Sequence, residues 1–321
     1  MTDSYCHCHH EAGHNCSCEH DDNTNNHLQS PYEQAFSRFD LHLHDEIVQE
    51  EVRKLVSEHR KRYDTAEVRR QLVGTLELTT LKVTDSQESV LALVERVNKF
   101  ADEHPDLPHL ATICVYPNYA KIVSESLEAD GVEVACVTGG FPSSQTFSEI
   151  KTAETALAVH DGATELDCVL SVGAFLSGDY ETCTDEIREI KAATQDHPLK
   201  VILETGALQT AVNIKKASIL SIFSGADFIK TSTGKIEPAA TLEAAYVMCR
   251  TIKEYYDQTG IKIGFKAAGG IKTVAEAIDF YTVVAEILGE DYIREGHFRI
   301  GTSRLANLLV SDVLGEDVKP F

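Results

Sequence analysis

A chain of 321 residues, 43% of them hydrophobic, is long enough to bury a large core, either as two average domains or as one large α/β barrel. Its formal charge of −22 at pH 7 argues against general nucleic-acid affinity, because phosphate backbones are held through accumulated Lys and Arg; any phosphate site must be local. No run of 18 or more apolar residues occurs, and the opening MTDSYCHCHHEAGHNC has neither a basic nor an apolar leader segment, so the expectation is a cytoplasmic protein with no membrane association.

Residues 1–30 hold four cysteines, six histidines, five acidic residues and no Lys or Arg, with almost nothing aliphatic to bury, and are expected to be disordered without a ligand. Cys6, Cys8, His9, His14, Cys16 and Cys18 are ligand types suited to zinc, nickel or copper(I). Their Cys-x-Cys spacing differs from the Cys-x₂₋₄-Cys of structural zinc sites, which favours adventitious binding over a defined finger. A metal-binding or sensing protein that uses this tail, with the rest as scaffold, is the alternative function. The remaining cysteines are scattered through apolar segments, a distribution that suits reduced thiols better than a disulfide framework.

Residues 31–73 read as a helical lead-in: Ile47, Val48, Val52, Leu55 and Val56 recur at helical spacing among charged residues. From residue 74 to 321, eight β-rich runs alternate with amphipathic stretches. The runs are TLELTTL (75–81), ATICVYP (111–117), VEVACVTG (132–139), TELDCVLSV (164–172), LKVILETG (199–206), DFIKTSTG (227–234), IGFKAAGG (263–270) and FRIGTS (298–303). Helical patterns such as 86–103, 181–194, 239–257 and 275–288 are long enough to cross back over a parallel sheet. Eight units in this length predict a closed (β/α)₈ barrel of the TIM type. An open doubly wound sheet is the runner-up, weakened by the lack of a G-x-G-x-x-G run between the first strand and its helix.

In such a barrel the reacting groups stand at the C-terminal ends of strands, so polar residues inside apolar runs are the candidates. Asp167, Lys230 and Lys266 qualify. A lysine facing the outer helices would be buried without a partner, which makes the inward orientation cheaper. Two lysines on neighbouring strands raise the cost of protonating each other, so one amine should titrate below the free value of about 10.4 and be available for carbonyl attack. Asp167, two strands away, is placed to exchange protons, directly or through a water held with Lys266. The glycine-rich ends 232–235, 268–270 and 301–303, with Lys235, point to a phosphate.

The stretches DFIKTSTGK (227–235), FKAAGGI (265–271), DGATELDCVL (161–170), VILETGAL (201–208), ELTTL (77–81) and ICVYP (113–117) resemble the deoxyribose-phosphate aldolase family, in order from about Glu77 to Leu305. The resemblance implies a class I, metal-independent aldolase without a cofactor. Such an enzyme interconverts 2-deoxy-D-ribose 5-phosphate with acetaldehyde and D-glyceraldehyde 3-phosphate. It implies that Lys230 forms the Schiff base, that Lys266 depresses its pKa and that Asp167 joins the proton relay. Thr79 and Cys114 would lie near the substrate, and Thr233, Gly234, Lys235, Gly269, Gly270, Gly301 and Ser303 would surround the phosphate. The partner is thus a phosphorylated small molecule, with no metal in the barrel, and a homo-oligomer is compatible with this reading. Cys114 also has a plain reading as a small strand hydrophobe. Three positions depart from the family pattern: Glu77 replaces Asp, Ala267 replaces Pro, and Arg304 replaces a small residue, as a further phosphate contact or a surface charge. None of the three is expected to touch the proposed catalytic groups.

Overall fold

The computed structural model describes residues 30–321, and the candidate tail ligands from Cys6 to Cys18 lie outside the described residues. One strand forms within each predicted run: β1 Leu76–Thr79, β2 Thr112–Val115, β3 Glu133–Thr138, β4 Glu165–Val169, β5 Leu199–Ile202, β6 Phe228–Lys230, β7 Gly264–Ala268 and β8 Phe298–Thr302. Each pairs with its neighbours in chain order, and β1 pairs in parallel with both β2 and β8. The sheet is therefore a closed barrel, and the open-sheet alternative is excluded.

Alternation along the strands gives the barrel two different surfaces. Outward residues such as Leu76, Ile113, Leu166, Val201, Phe265 and Ile300 are fully buried beneath the surrounding helices. The inward set is polar to an unusual degree: Glu77, Thr112, Glu165, Asp167, Lys200, Lys230 and Lys266 are all buried. Phe228 also points inward, and the room for it comes from β7, where a Cβ on Gly264 would sit 2.1 Å from the Phe228 ring.

The predicted runs extend past the strands at their C-terminal ends. TELDCVLSV leaves the sheet at Val169 and becomes helical at Val172, and LKVILETG leaves at Ile202 before a short helix at Thr205–Leu208. These overruns keep a further backbone bond to the neighbouring strand, such as Leu170 N to Ile202 O and Leu203 N to Lys230 O, before they bend away to build the barrel mouth.

Helices Gln87–Glu103, Tyr180–Ala193, Leu242–Thr259 and Val274–Leu288 match the predicted patterns to within three residues. Side chains of Ser86, Asp179, Thr241 and Thr273 accept hydrogen bonds from the first helical turns, and Glu276 completes a capping box with Thr273. The lead-in comprises three helices: Pro31–Phe36, Asp45–Tyr63 and Ala66–Val73. The second and third are separated at Asp64–Thr65, where the Thr65 hydroxyl caps a new helix start. Asp45–Tyr63 buries Val48 and Val52 and lies across the helices 242–259 and 274–288. Polar contacts fix its rotation: Arg60 Nε donates to Asp279 at 2.7 Å, Tyr63 Oη to Glu286 at 2.7 Å, and Tyr246 Oη to Glu51 at 2.8 Å.

Candidate active site

Lys230 ends β6 and is the Cα partner of Lys266 on β7, so both side chains enter the barrel from adjacent positions. Asp167 arrives from β4. Its Oδ2 accepts from Lys230 Nζ at 2.7 Å and from Lys266 Nζ at 2.6 Å. The three predicted catalytic groups are therefore in direct contact, with one carboxylate oxygen shared by two amines.

The cluster continues downward through groups that the sequence reading did not select. Lys200 on β5 donates to Asp167 Oδ1 at 3.1 Å, is hydrogen-bonded to Glu165 Oε2, and lies 3.5 Å from Glu77 Oε1. Arg299 on β8 stands 3.8 Å from Glu77 and 3.7 Å from Glu165. Lys266 is hydrogen-bonded to Glu77 Oε2, which corrects the expectation that Glu77 leaves the catalytic groups untouched. The signal for Lys200 was present in LKVI: it is a third lysine inside an apolar run, subject to the same inward argument as the other two. Glu165 carried a signal too, since it lies two residues before Asp167 and so on the same strand face.

Four cations and three carboxylates are thus packed in one contacting column: Lys200, Lys230, Lys266 and Arg299 against Glu77, Glu165 and Asp167. Charges of one sign left uncompensated in a buried site are costly, so the neutral form of one lysine balances the set. Burial pushes the Lys230 amine below the ordinary lysine value; Asp167 opposes this, and the Lys266 ammonium adds to the depression. The sequence reading assigned the depression to Lys266, whereas burial is the larger cause. At Lys266 burial also favours the neutral amine, but Asp167 and Glu77 outweigh it and hold the ammonium above the usual range. Burial likewise works against the charge of Asp167, and the neighbouring lysines, Lys200 first, then Lys230 when it is protonated, and Lys266, overcome it, holding the carboxyl well below the usual range.

Above Lys230 opens a cleft of about 470 Å³. Thr79, Thr233, Gly234, Lys235, Gly269, Gly270, Gly301 and Ser303 all line it, together with Lys230, Lys82, Lys272 and Arg304. Among its lining residues five are basic and one, Glu237, is acidic, in a chain whose net charge is −22. The cleft is therefore a local anion site against an acidic background. Gly269 has φ +81°, and a Cβ there would meet Gly234 Cα at 2.8 Å, so the two loops approach at backbone distance because position 269 is glycine.

Lys266 and Asp167 do not line the cleft; they sit behind Lys230. Cys114 does not line it either. It is fully buried in a small apolar group with Leu81, Ala135 and Val137, and burial raises its thiol pKa. Its Sγ and the carboxylates of Glu77 and Asp167 lie within 4.8 Å of one another, a set of metal-ligand types. Both carboxylates are already bound by lysine ammonium groups, so this is part of the charge column rather than a donor set free to take an ion.

A closed parallel barrel with a lysine amine that burial pushes below its ordinary value, beneath an anion-suited cleft, fits an enzyme class that works through an amine nucleophile. Residues 76–291 match the DeoC/LacD family aldolase model, and the chain belongs to that family. The deoxyribose-phosphate aldolases of Homo sapiens and Bos taurus are 39% and 37% identical to it over 243 residues, 73% of this chain and 76% of each relative. Among solved structures, the aldolase QR15 is 30% identical, covers 76% of this chain and 97% of its own, and has a TM-score of 0.61. The tetrameric deoxyribose phosphate aldolase of Aeropyrum pernix is 25% identical with a TM-score of 0.62, covering 81% of this chain and 97% of its own.

Proposed function

We propose that this chain is a class I aldolase that cleaves 2-deoxy-D-ribose 5-phosphate reversibly to acetaldehyde and D-glyceraldehyde 3-phosphate, with Lys230 as the nucleophile. The observation that carries the assignment is that Lys230 alone, of the three lysines in the buried column, reaches the cleft, and it is the one whose amine is pushed toward neutrality.

The Lys230 nitrogen adds to the C1 aldehyde of the open-chain sugar, and loss of water gives an iminium ion. Removal of the C3 hydroxyl proton breaks the C2–C3 bond. Its electron pair moves into the iminium to form an enamine, and glyceraldehyde 3-phosphate departs. Protonation of the enamine carbon and hydrolysis then release acetaldehyde and return the free amine. Asp167, 2.7 Å from Lys230, exchanges protons at this end of the site, and the cations behind it, Lys200 before Lys266, favour its ionised form. The phosphate sits against the glycine-rich loops, where Lys235, Lys272 and Arg304 supply charge; Arg304 is read here as an added phosphate contact.

Borohydride reduction with acetaldehyde tests the assignment. A two-carbon adduct is expected on the peptide containing Lys230, and an adduct found only elsewhere overturns it. Amine catalysis should also be indifferent to EDTA and to deletion of residues 1–30. Loss of activity under either treatment would favour the metal-binding alternative. No described helix is long and apolar enough to cross a membrane. The described cysteines, all buried, are unpaired, which supports cytoplasmic residence.

A further inference from the structure

Glu204 has a backbone conformation that side-chain-bearing residues rarely adopt, φ 56° and ψ 59°, and it is 2% exposed. It stands at the mouth of the barrel just after β5, where polar groups usually meet solvent or substrate. Its two carboxylate oxygens are instead committed to one residue on the next strand's loop: Oε2 accepts from Thr233 Oγ1 at 2.5 Å and Oε1 from Thr233 N at 3.3 Å. The Thr233 hydroxyl in turn accepts from Lys235 N at 3.1 Å.

The flanking backbone continues the same connection. Leu203 N donates to Lys230 O at 2.9 Å and Thr205 N to Thr231 O at 2.9 Å, so the chain on either side of Glu204 is tied to the end of β6, at the nucleophile and the residue after it. On the far side, a Cβ on Gly206 would lie 2.1 Å from Pro238 O, which places the turn after Glu204 in tight contact with the end of that loop. Thr233, Gly234 and Lys235 line the cleft, and Gly234 rests against Gly269 of the opposing loop.

We propose that Glu204 is a positioning residue: by holding Thr233 it fixes the loop 233–235 at the phosphate end of the cleft, and so governs affinity for phosphorylated substrates without entering the amine chemistry. This rests on the aldolase reading above. A role in proton transfer at Lys230 is disfavoured by geometry, since both oxygens already accept from Thr233. The left-handed backbone follows from the same requirement, because it lets a residue directly after a strand turn its carboxylate sideways to the adjacent loop.

The test uses the full chain and two variants, each checked for folding by thermal unfolding. Glu204→Gln replaces one acceptor oxygen with a donor that faces Thr233, and Thr233→Val removes the hydroxyl while leaving Glu204 in place. Loss of one charge-assisted hydrogen bond is expected to raise KM for 2-deoxyribose 5-phosphate about tenfold in each variant. For Glu204→Gln, kcat and the rate of borohydride-trapped acetaldehyde adduct formation should stay near those of the parent protein, and combining both substitutions should be no worse than either alone. An unchanged KM overturns the proposal, as does an equal loss toward phosphorylated and unphosphorylated deoxyribose, or additive effects of the two substitutions. If Glu204→Gln fails to fold, Glu204→Asp, which keeps the charge but withdraws it from Thr233, takes its place: the same rise in KM is expected, and an unchanged KM overturns the proposal. Absence of any Lys230 adduct in the parent protein would instead sink the aldolase reading itself, leaving the two failures distinguishable.

Discussion

The upper and lower ends of the charged column use the same ingredients and reach opposite states. At the mouth, Lys230 has one carboxylate partner, Asp167; beneath it Lys266 has two, Asp167 and Glu77; deepest, Lys200 has three, Asp167, Glu165 and Glu77. Burial opposes charge at all three. The amine of Lys230 falls below its ordinary value, while those of Lys266 and Lys200 rise above theirs. What separates a nucleophile from a structural cation here is the number of carboxylates around it, and the least-compensated lysine is the one that faces the cleft.

The largest expected effects come from removing the two end lysines. Lys230→Met should abolish cleavage and acetaldehyde trapping, a loss on the order of 10³-fold or more, while leaving stability nearly intact because it deletes the surplus cation. Lys200→Met leaves three buried carboxylates with too little compensation and should destabilise by roughly 3 kcal/mol or more. Turnover measured beside denaturant unfolding checks the pair. Equal stability losses at both positions would break the comparison.

A smaller effect is expected at the middle of the column. Lys266→Leu removes an ammonium that neutralises Asp167 and Glu77, so the field around Lys230 becomes more negative and its ammonium is favoured. Its pKa therefore rises, and the fraction of free amine near neutral pH falls. Adduct formation at pH 7 should drop roughly tenfold and recover as the pH is raised, because the limb lost on acidification moves to higher pH. A pH profile identical to that of the parent protein would remove charge coupling between the two lysines and leave burial as the whole cause.

The barrel was legible because parallel strands covered on one face by helices write themselves as repeated apolar runs, and eight of them leave few architectures. Lys230, Lys266 and Asp167 were legible as charges that interrupt such runs. Lys200 and Glu165 interrupt them too, yet they lie nearer the N-terminal end of their strands, where a reading focused on the mouth does not look. The bond between Glu77 and Lys266 joins β1 to β7, strands far apart in sequence, and only closure through β8 brings them together. Nor could Glu204 be found from pattern, since its left-handed backbone ends a run that reads as continuous strand. The helix Ala211–Phe223 illustrates the converse difficulty: it is buried on nearly every side, so its apolar residues show little helical periodicity.

The smallest expected effect is also the most discriminating, because it carries a sign. Glu165 and Arg299 lie at the lower end of the column and line a second cleft on the opposite face of the barrel from the mouth; neither touches Lys230. If the column behaves as one electrostatic unit, Glu165→Gln removes a negative charge, disfavours the Lys230 ammonium and moves the acid limb of adduct formation to lower pH. Arg299→Met removes a positive charge and moves the limb to higher pH. Each shift should change the rate measured on the limb only about threefold, since the groups act at a distance through partners that adjust. A purely structural role predicts lower stability in both variants and limbs that stay put or move in the same direction. Opposite displacements would show that the neutrality of Lys230 is set by the whole barrel interior rather than by its nearest neighbours.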